Sequence, residues 1–321
     1  DHTYLESETY LLGKDIVAAG LEKGVFEKRE DGAVICDFGR LGRKVVLRSD
    51  GTSVYITQDM GTTLRKYEDY HPESMIWVVG DEQNLHFQML FEIMKRLGYP
   101  WADQLYHLSY GMVNLPSGKM KSREGTVVDA DDLFDEMARL AADACRERGG
   151  EALGEAELAE RSEIIGLGAL KFMLLKFNPK TTILFDPAAS LKFEGDTGPY
   201  IQYAAARIHS IERKARERKI DFDAASADWS LLGHEAEKAL AVTAGFYPAV
   251  LRTAAERRDC SGLAEYLLEL AKAFNRFYRE CPVLTAESRP LRHARLALCY
   301  AVRDLLTDGL NTLTIQVPSA M

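Results

Sequence analysis

Six consecutive residues, Met75–Gly80 (MIWVVG), constrain the fold of this chain more than any other stretch. A continuous apolar run closed by glycine is the pattern of a strand buried on both faces, the habit of parallel sheets. Leu85, Met89, Phe91, Met94 and Leu97 follow at helical spacing, with Gly98 as a stop, and YHLSYGMVNL (Tyr106–Leu115) is the next strand-like piece. Strand, helix and strand in this order form a βαβ unit, which closes only as a parallel pair with a right-handed crossover. Upstream, VVLR (Val45–Arg48) and SVYIT (Ser53–Thr57) flank Ser49-Asp50-Gly51 and predict a hairpin or tight strand connection. The first 125 residues therefore read as mixed α/β.

From Asp131 onward nearly everything reads as helix. DDLFDEMARLAADACRER opens with acids and closes with arginines, as the helix dipole favours. Gly149–Glu157 is a polar interruption, and Gly and Pro in FEGDTGPY (Phe193–Tyr200) mark a break before a second helical series. That series runs to the C-terminus, with turns expected around Ile220–Trp229 and Cys281–Pro290. A length of 321 residues suits two domains, and 46% hydrophobic residues exclude a mostly disordered chain. A formal charge of −9 excludes a generally basic nucleic-acid coat but not a local basic patch. No apolar stretch is long enough to span a membrane. Five cysteines without a CxxC pair give neither a zinc knuckle nor a disulfide framework, so a reduced, cytoplasmic protein without a leader is expected. The opening at Asp1 predicts a piece of something longer.

Three stretches carry chemistry. Gly118–Gly125 (GKMKSREG) places two lysines, an arginine and a serine between glycines after a strand. Such a loop either closes cations over a polyphosphate or is simply solvated. Tyr55 and Asp59 flank Thr57-Gln58 just before a helix, and Gln83 follows the apolar strand. Asp59 is either a helix cap or, with Tyr55 and Gln83 near, a partner for a guanidinium or ammonium ligand. His86 reads as easily as a half-buried helix residue. The segment Arg207–Lys219 has six Lys/Arg against two Glu, which is either a solvated face or an RNA-phosphate surface.

Together these pieces resemble the C-terminal two-thirds of a class I arginyl-tRNA synthetase. DGTSVYITQD (Asp50–Asp59) with YEDYHPESMIWVVGDEQNLHF (Tyr67–Phe87) is similar to the arginine-site half of that family's catalytic domain. YGMVNLPSGKMKSREGTVV (Tyr110–Val128) resembles its KMSKS loop. GDTGPYIQYAAARIHSI (Gly195–Ile211) and the tail from Leu291 to Met321 resemble its helical anticodon-binding domain. The resemblance spans essentially the whole chain. It implies a partial class I nucleotide-binding, Rossmann-like α/β catalytic domain over 1–194, including helices that contact the tRNA stem. An all-α anticodon-binding bundle of the DALR type over 195–321 would follow.

The resemblance further implies that Tyr55, Asp59 and Gln83 hold the substrate arginine. Lys121 and Ser122, with Lys119 in an alternative register, would act on the phosphates of ATP. Met112 and Val113 would lie against its adenine through apolar contact and backbone hydrogen bonds. The reaction implied is an arginine–tRNA ligase: arginine and ATP, the latter with Mg2+, give arginyl-adenylate, and the arginyl group passes to the terminal ribose of tRNA. No protein-bound metal and no membrane partner are expected, and the family implies a monomer. Tyr200, Gln202, Tyr203, Arg207, Asn275 and Tyr278 are the candidates for RNA contact, as stacking aromatics and polar or cationic partners.

The loop reads GKMKS where the class pattern is KMSKS, and Ala205 stands where the family commonly has histidine. None of the seven histidines, at positions 2, 71, 86, 107, 209, 234 and 293, lies in a His-x-Gly-His element of the HIGH type. The chain alone is therefore expected to be inactive. Two other readings stay open: a different class I synthetase, against which the carboxylate of Asp59 argues, and a non-catalytic tRNA-binding fragment.

Overall fold

The computed structural model describes residues 2–115, 129–147, 154–220 and 223–318, and the chain divides into two compact units at Gly111/Met112. In the first unit, helix α1 (Glu6–Glu22) precedes an antiparallel sheet of β1 (Glu27–Lys28), β2 (Val34–Asp37) and β3 (Arg43–Leu47), in that order. Helix α2 (Tyr55–Tyr70), strand β4 (Met75–Gly80), helix α3 (Asn84–Arg96) and strand β5 (Leu105–Tyr110) follow. β4 and β5 run parallel, in register from Met75↔Leu105 to Gly80↔Tyr110, with α3 between them in sequence. This is the βαβ unit that the apolar spacing predicts. Gly98 takes φ +85°, a left-handed turn that ends α3 and that a side chain would strain.

β4 departs from expectation in its cover. Met75 is buried and Trp77 packs on Phe87 and Phe91 of α3, whereas Ile76 and Val78 are 48% and 63% exposed. An apolar run alone cannot separate a half-covered strand from a fully covered one, because the covering element is a tertiary fact.

SVYIT departs further. Only Ser53 pairs, in an isolated antiparallel bridge to Leu47, and the chain is helical from Tyr55. Thr57 supplies the reason. Its buried hydroxyl accepts from the Val54 N–H at 3.3 Å and donates to the Val46 carbonyl, so a residue of high strand propensity anchors the first turn of a helix on β3. α2 then crosses α1 at very short range. A Cβ on Gly13 would strike the Thr57 carbonyl, and one on Gly61 would strike the Thr9 carbonyl and lie 2.8 Å from the Gly13 nitrogen.

In the second unit, β6 (Val113–Asn114) pairs in parallel with β7 (Ile183–Leu184). β7 is an exception to the all-helical reading beyond Asp131. The helices are α4 (Ala130–Glu147), α5 (Glu155–Leu175), the short α6 (Pro187–Ser190), α7 (Gly198–Glu217), α8 (Glu235–Gly245), α9 (Tyr247–Arg257), α10 (Ser261–Glu280) and α11 (Arg289–Thr312). The break expected at Phe193–Tyr200 is a helix start: Gly195 turns at φ +79°, and the Thr197 hydroxyl caps α7 by accepting from the Tyr200 N–H at 3.3 Å. α7, α8, α9 and α11 pack on α10, and Ile208, Leu267, Phe274, Phe277 and Leu306 are fully buried among them. Each such side chain contributes ~1.5–3 kcal/mol of transfer free energy. All five cysteines carry free thiols. No described helix is long and apolar enough to cross a membrane.

Because the obstacles at Gly61 are backbone atoms, a methyl group there can be accommodated only by moving α1 from α2. Gly61→Ala should destabilise the first unit by about 1–3 kcal/mol. Urea unfolding followed by Trp77 and Trp101 fluorescence checks this, and an unchanged midpoint would contradict the close crossing.

Candidate functional site

The polar turn after β3 aims α2. Gly51 sits at φ +79°, and the Asp50 carboxylate accepts from the Thr52 hydroxyl at 2.7 Å and the Thr52 N–H at 2.8 Å. Those two bonds hold the Asp50 carboxyl below the usual carboxylate range. Arg48 reaches across the turn to the Thr52 hydroxyl at 3.1 Å and the Ser53 carbonyl at 3.3 Å. α2 therefore starts at a fixed place, with Tyr55 as its first residue and 77% exposed.

Asp59 is not a cap. The N-cap position belongs to Val54, and Asp59 is the fifth residue of α2, one turn beyond Tyr55 and on the same face. Its Oδ2 lies 2.6 Å from the Nε2 of His86 on α3. Gln83, exposed, stands in a single 3-10 turn (Asp81–Gln83) just past the C-terminal end of β4, three residues before His86. The Asp59–His86 contact thus ties the first turns of α2, which carry Tyr55 and Asp59, to His86 at the start of α3, three residues after Gln83. The ends of strands are where ligands of open α/β sheets bind. The sequence reading of His86 as a half-buried helix residue holds, since it lies in the first turn of α3, but that reading gave it no partner.

Rim and loop differ in what is described. Lys119, Lys121 and Ser122, with the rest of Gly118–Gly125, lie outside the described residues. Met112 and Val113 lead towards that loop. The Met112 carbonyl accepts from the Ile183 N–H at 2.8 Å, and the Asn114 carbonyl from the Phe185 N–H at 2.8 Å. In a parallel ladder this alternation turns the Val113 N–H and C=O to the opposite edge of β6. The Met112 carbonyl is therefore taken up by β7, while the Val113 peptide lies on the other edge of β6. The Met112 side chain, 39% exposed, keeps its apolar surface.

In the helical unit, four of the six RNA candidates come together. The Arg207 guanidinium lies over the ring of Tyr203 at 4.6 Å and that of Tyr278 at 5.0 Å, and donates to Asn275 Oδ1 at 2.7 Å. Each cation–π contact of this kind is worth ~0.5–2 kcal/mol. Tyr200 is half-buried against the core of the bundle. Gln202 is the clear correction. It is fully buried and donates to the Ile164 carbonyl at 3.2 Å and the Gln316 carbonyl at 2.8 Å, so it ties helices together out of reach of any ligand. The signal against it was Ala205 and Ala206, three and four residues on, which mark a face built for close helix approach.

The basic stretch is also less free than its count implies. Glu212 accepts from Arg216 at 2.5 Å and from Arg303 at 2.6 Å. Arg213, Lys214, Arg218 and Lys219 are exposed. His209 has its pKa lowered, first by burial and then by the charge of Arg303.

The chain is similar to known proteins. Residues 10–186 match the family described as tRNA synthetases class I (R), catalytic domain, and residues 201–321 match the DALR anticodon binding domain. An arginine–tRNA ligase of Treponema denticola is 49% identical over 326 residues, which covers all of this chain and 55% of that protein. One from Flavobacterium psychrophilum is 47% identical over 325 residues, covering all of this chain and 53% of its own length. The solved arginyl-tRNA synthetase of Thermus thermophilus superposes with a TM-score of 0.85 at 29% identity, over 98% of this chain and 59% of that one. The chain spans about half the length of the curated relatives it matches.

The lowered pKa of His209 has a definite sign. The folded state binds its proton less readily than the unfolded state, so the stability it contributes is present above about pH 6.5 and is lost as pH falls through the lower folded value. His209→Gln should therefore lose less stability than wild type between about pH 7 and about pH 5. Urea midpoints at the two pH values check this, and equal losses would mean that His209 is not desolvated.

Proposed function

The chain belongs to the class I arginyl-tRNA synthetase family, and from that premise we propose that it supplies the arginine-holding and tRNA-reading parts of an arginine–tRNA ligase. The observation that carries the proposal is Asp59: a carboxylate one turn from an exposed tyrosine and in contact with His86, three residues after Gln83. A guanidinium calls for an anionic acceptor flanked by neutral hydrogen-bonding groups. Tyr55 would flank the guanidinium, Asp59 would neutralise it, and Gln83 would hydrogen-bond the remaining polar edge. A carboxylate here would be wasted on a thiol or aliphatic side chain, which disfavours another class I specificity.

In the first step the α-carboxylate oxygen of arginine attacks the α-phosphorus of ATP. The bond to the β-phosphate oxygen breaks, and pyrophosphate leaves. Adenine would rest on the Met112 side chain and the free Val113 peptide edge. Lys119, Lys121 and Ser122 would stabilise the charge that develops on the phosphates, which reach the enzyme as the Mg2+ complex. In the second step a hydroxyl of the terminal ribose attacks the arginyl carbonyl and AMP departs. The Tyr203–Arg207–Tyr278–Asn275 assembly would meet the anticodon loop, with tyrosine faces for splayed bases and arginine for phosphate. We assign residues 1–194 to the catalytic part and 195–321 to the RNA-reading part. The chain is taken to act as a cytoplasmic monomer.

Two measurements test the proposal. Asp59→Asn exchanges a charged partner for a neutral one and should weaken arginine binding about ten-fold or more by calorimetry. Equal affinity would remove Asp59 from the pocket. In the second, the chain is titrated at fixed salt with arginine tRNA and with the same tRNA carrying a changed anticodon. The native anticodon should bind more tightly, and Arg207→Ala should lower that affinity and reduce its salt slope by about one. Equal, weak binding to both transcripts would leave only non-specific electrostatics.

A further inference from the structure

We infer that His86 is a positioning residue for arginine recognition, holding the Asp59 carboxylate in one orientation before the substrate arrives. The inference rests on the proposed role of Asp59 in the arginine pocket. His86 Nε2 lies 2.6 Å from Asp59 Oδ2, a charge-assisted distance. The His86 side chain is 15% exposed and that of Asp59 is 42% exposed, so the half-buried holder is the less exposed of the two.

The imidazole is itself held. It meets Phe87 edge-on at 5.5 Å, Phe87 packs on His107 at 4.4 Å with the rings tilted by 32°, and His107 Nε2 lies 2.9 Å from the Val79 carbonyl of β4. A short acidic side chain on a helix surface ordinarily samples several rotamers and carries its own water. Here one oxygen is pinned through a packed ring to the βαβ frame. Oδ1 and the remaining lone pair of Oδ2 stay available, because a carboxylate offers about four acceptor positions and His86 uses one. A guanidinium fork is planar, so it gains from a carboxylate whose plane is already set, whereas the rotating donors of an ammonium gain less. His86 therefore acts on the affinity for arginine through Asp59, without touching substrate.

The test compares arginine binding by calorimetry in the wild-type chain, H86L, H86N, H86Q and D59N, each with its thermal midpoint. Gln can carry an N–H to the position of Nε2; Leu cannot, and Asn is too short. Loss of one hydrogen bond to a charged group should raise the arginine Kd about ten-fold in H86L and H86N. H86Q should stay within about three-fold of wild type, with thermal midpoints alike in H86N and H86Q. If H86L does not fold, the comparison of H86N with H86Q carries the test. Wild-type affinity in H86N or H86L beside a weakened D59N would overturn the inference alone. Equal weakness in H86Q and H86N would also overturn it, since bulk rather than the donor would then matter. Full affinity in D59N, or no arginine uptake by the wild-type chain, would instead remove the pocket reading and the inference with it.

Discussion

At Gly168 and Gly198 the backbones of α5 and α7 come almost into contact: a Cβ on Gly198 would lie 2.6 Å from the Gly168 carbonyl oxygen and 2.9 Å from the Phe172 Cβ. That approach brings Gln202 into range of both the Ile164 carbonyl and the Gln316 carbonyl, so one buried amide joins α5, α7 and the C-terminal tail. Burying an amide is costly unless its polar atoms are paired; here both bonds are made by Nε2, and Oε1 has no partner among the described residues. With this face of α7 committed to α5, the remaining faces have fixed directions. Ile201, Ala205 and Ile208 enter the core of the bundle, and Tyr203 and Arg207 are left to meet Asn275 and Tyr278 on α10. Placement of the Tyr203–Arg207–Tyr278–Asn275 assembly is thus a consequence of two missing methyl groups.

Charge follows the same economy. An acidic chain carrying a basic helix could collapse its cations onto neighbouring acids, and α7 does so in part, with Arg216 bound to Glu212 and Glu212 bound in turn to Arg303. Arg207 is treated differently, by neutral rings and an amide oxygen rather than by a carboxylate. Among the described residues these partners therefore leave its charge uncancelled. An uncancelled guanidinium between aromatic faces is the chemistry that a nucleic-acid loop can use, whereas a paired one would first have to be released.

The sequence reveals what is local. The βαβ unit is legible because strand and helix differ in period and Gly98 punctuates them, and the start of α7 is legible because Gly195, Thr197 and Pro199 each have a positional reason there. Tyr55, Asp59 and Gln83 are legible as a set of types suited to a guanidinium. What fails is whatever depends on a distant partner. Thr57 has strand propensity but spends its hydroxyl on Val46 and Val54 as a helix anchor. Gln202 is polar on a helix, which reads as outward until its two carbonyl partners are known. His86 is silent because Asp59 is 27 residues away.

Both proposed recognition spots share one physical device, which matters for what they would discriminate. In each, the charged group is already held in the free chain by a neighbour other than an Asp, Glu, Lys or Arg side chain of opposite charge: a half-buried imidazole for Asp59, two tyrosine rings and an amide for Arg207. Ordering a rotamer-rich side chain at an interface costs about 0.5–1.5 kcal/mol, and a group ordered beforehand does not pay it on binding. Preordering also fixes direction, so a ligand of the right charge and the wrong shape gains little. For a guanidinium the relevant shape is the plane of a carboxylate; for a splayed base it is the face of a ring. Selectivity at both sites then resides in groups that need not touch the ligand, and substitutions at His86 or Asn275 should be felt through their neighbours.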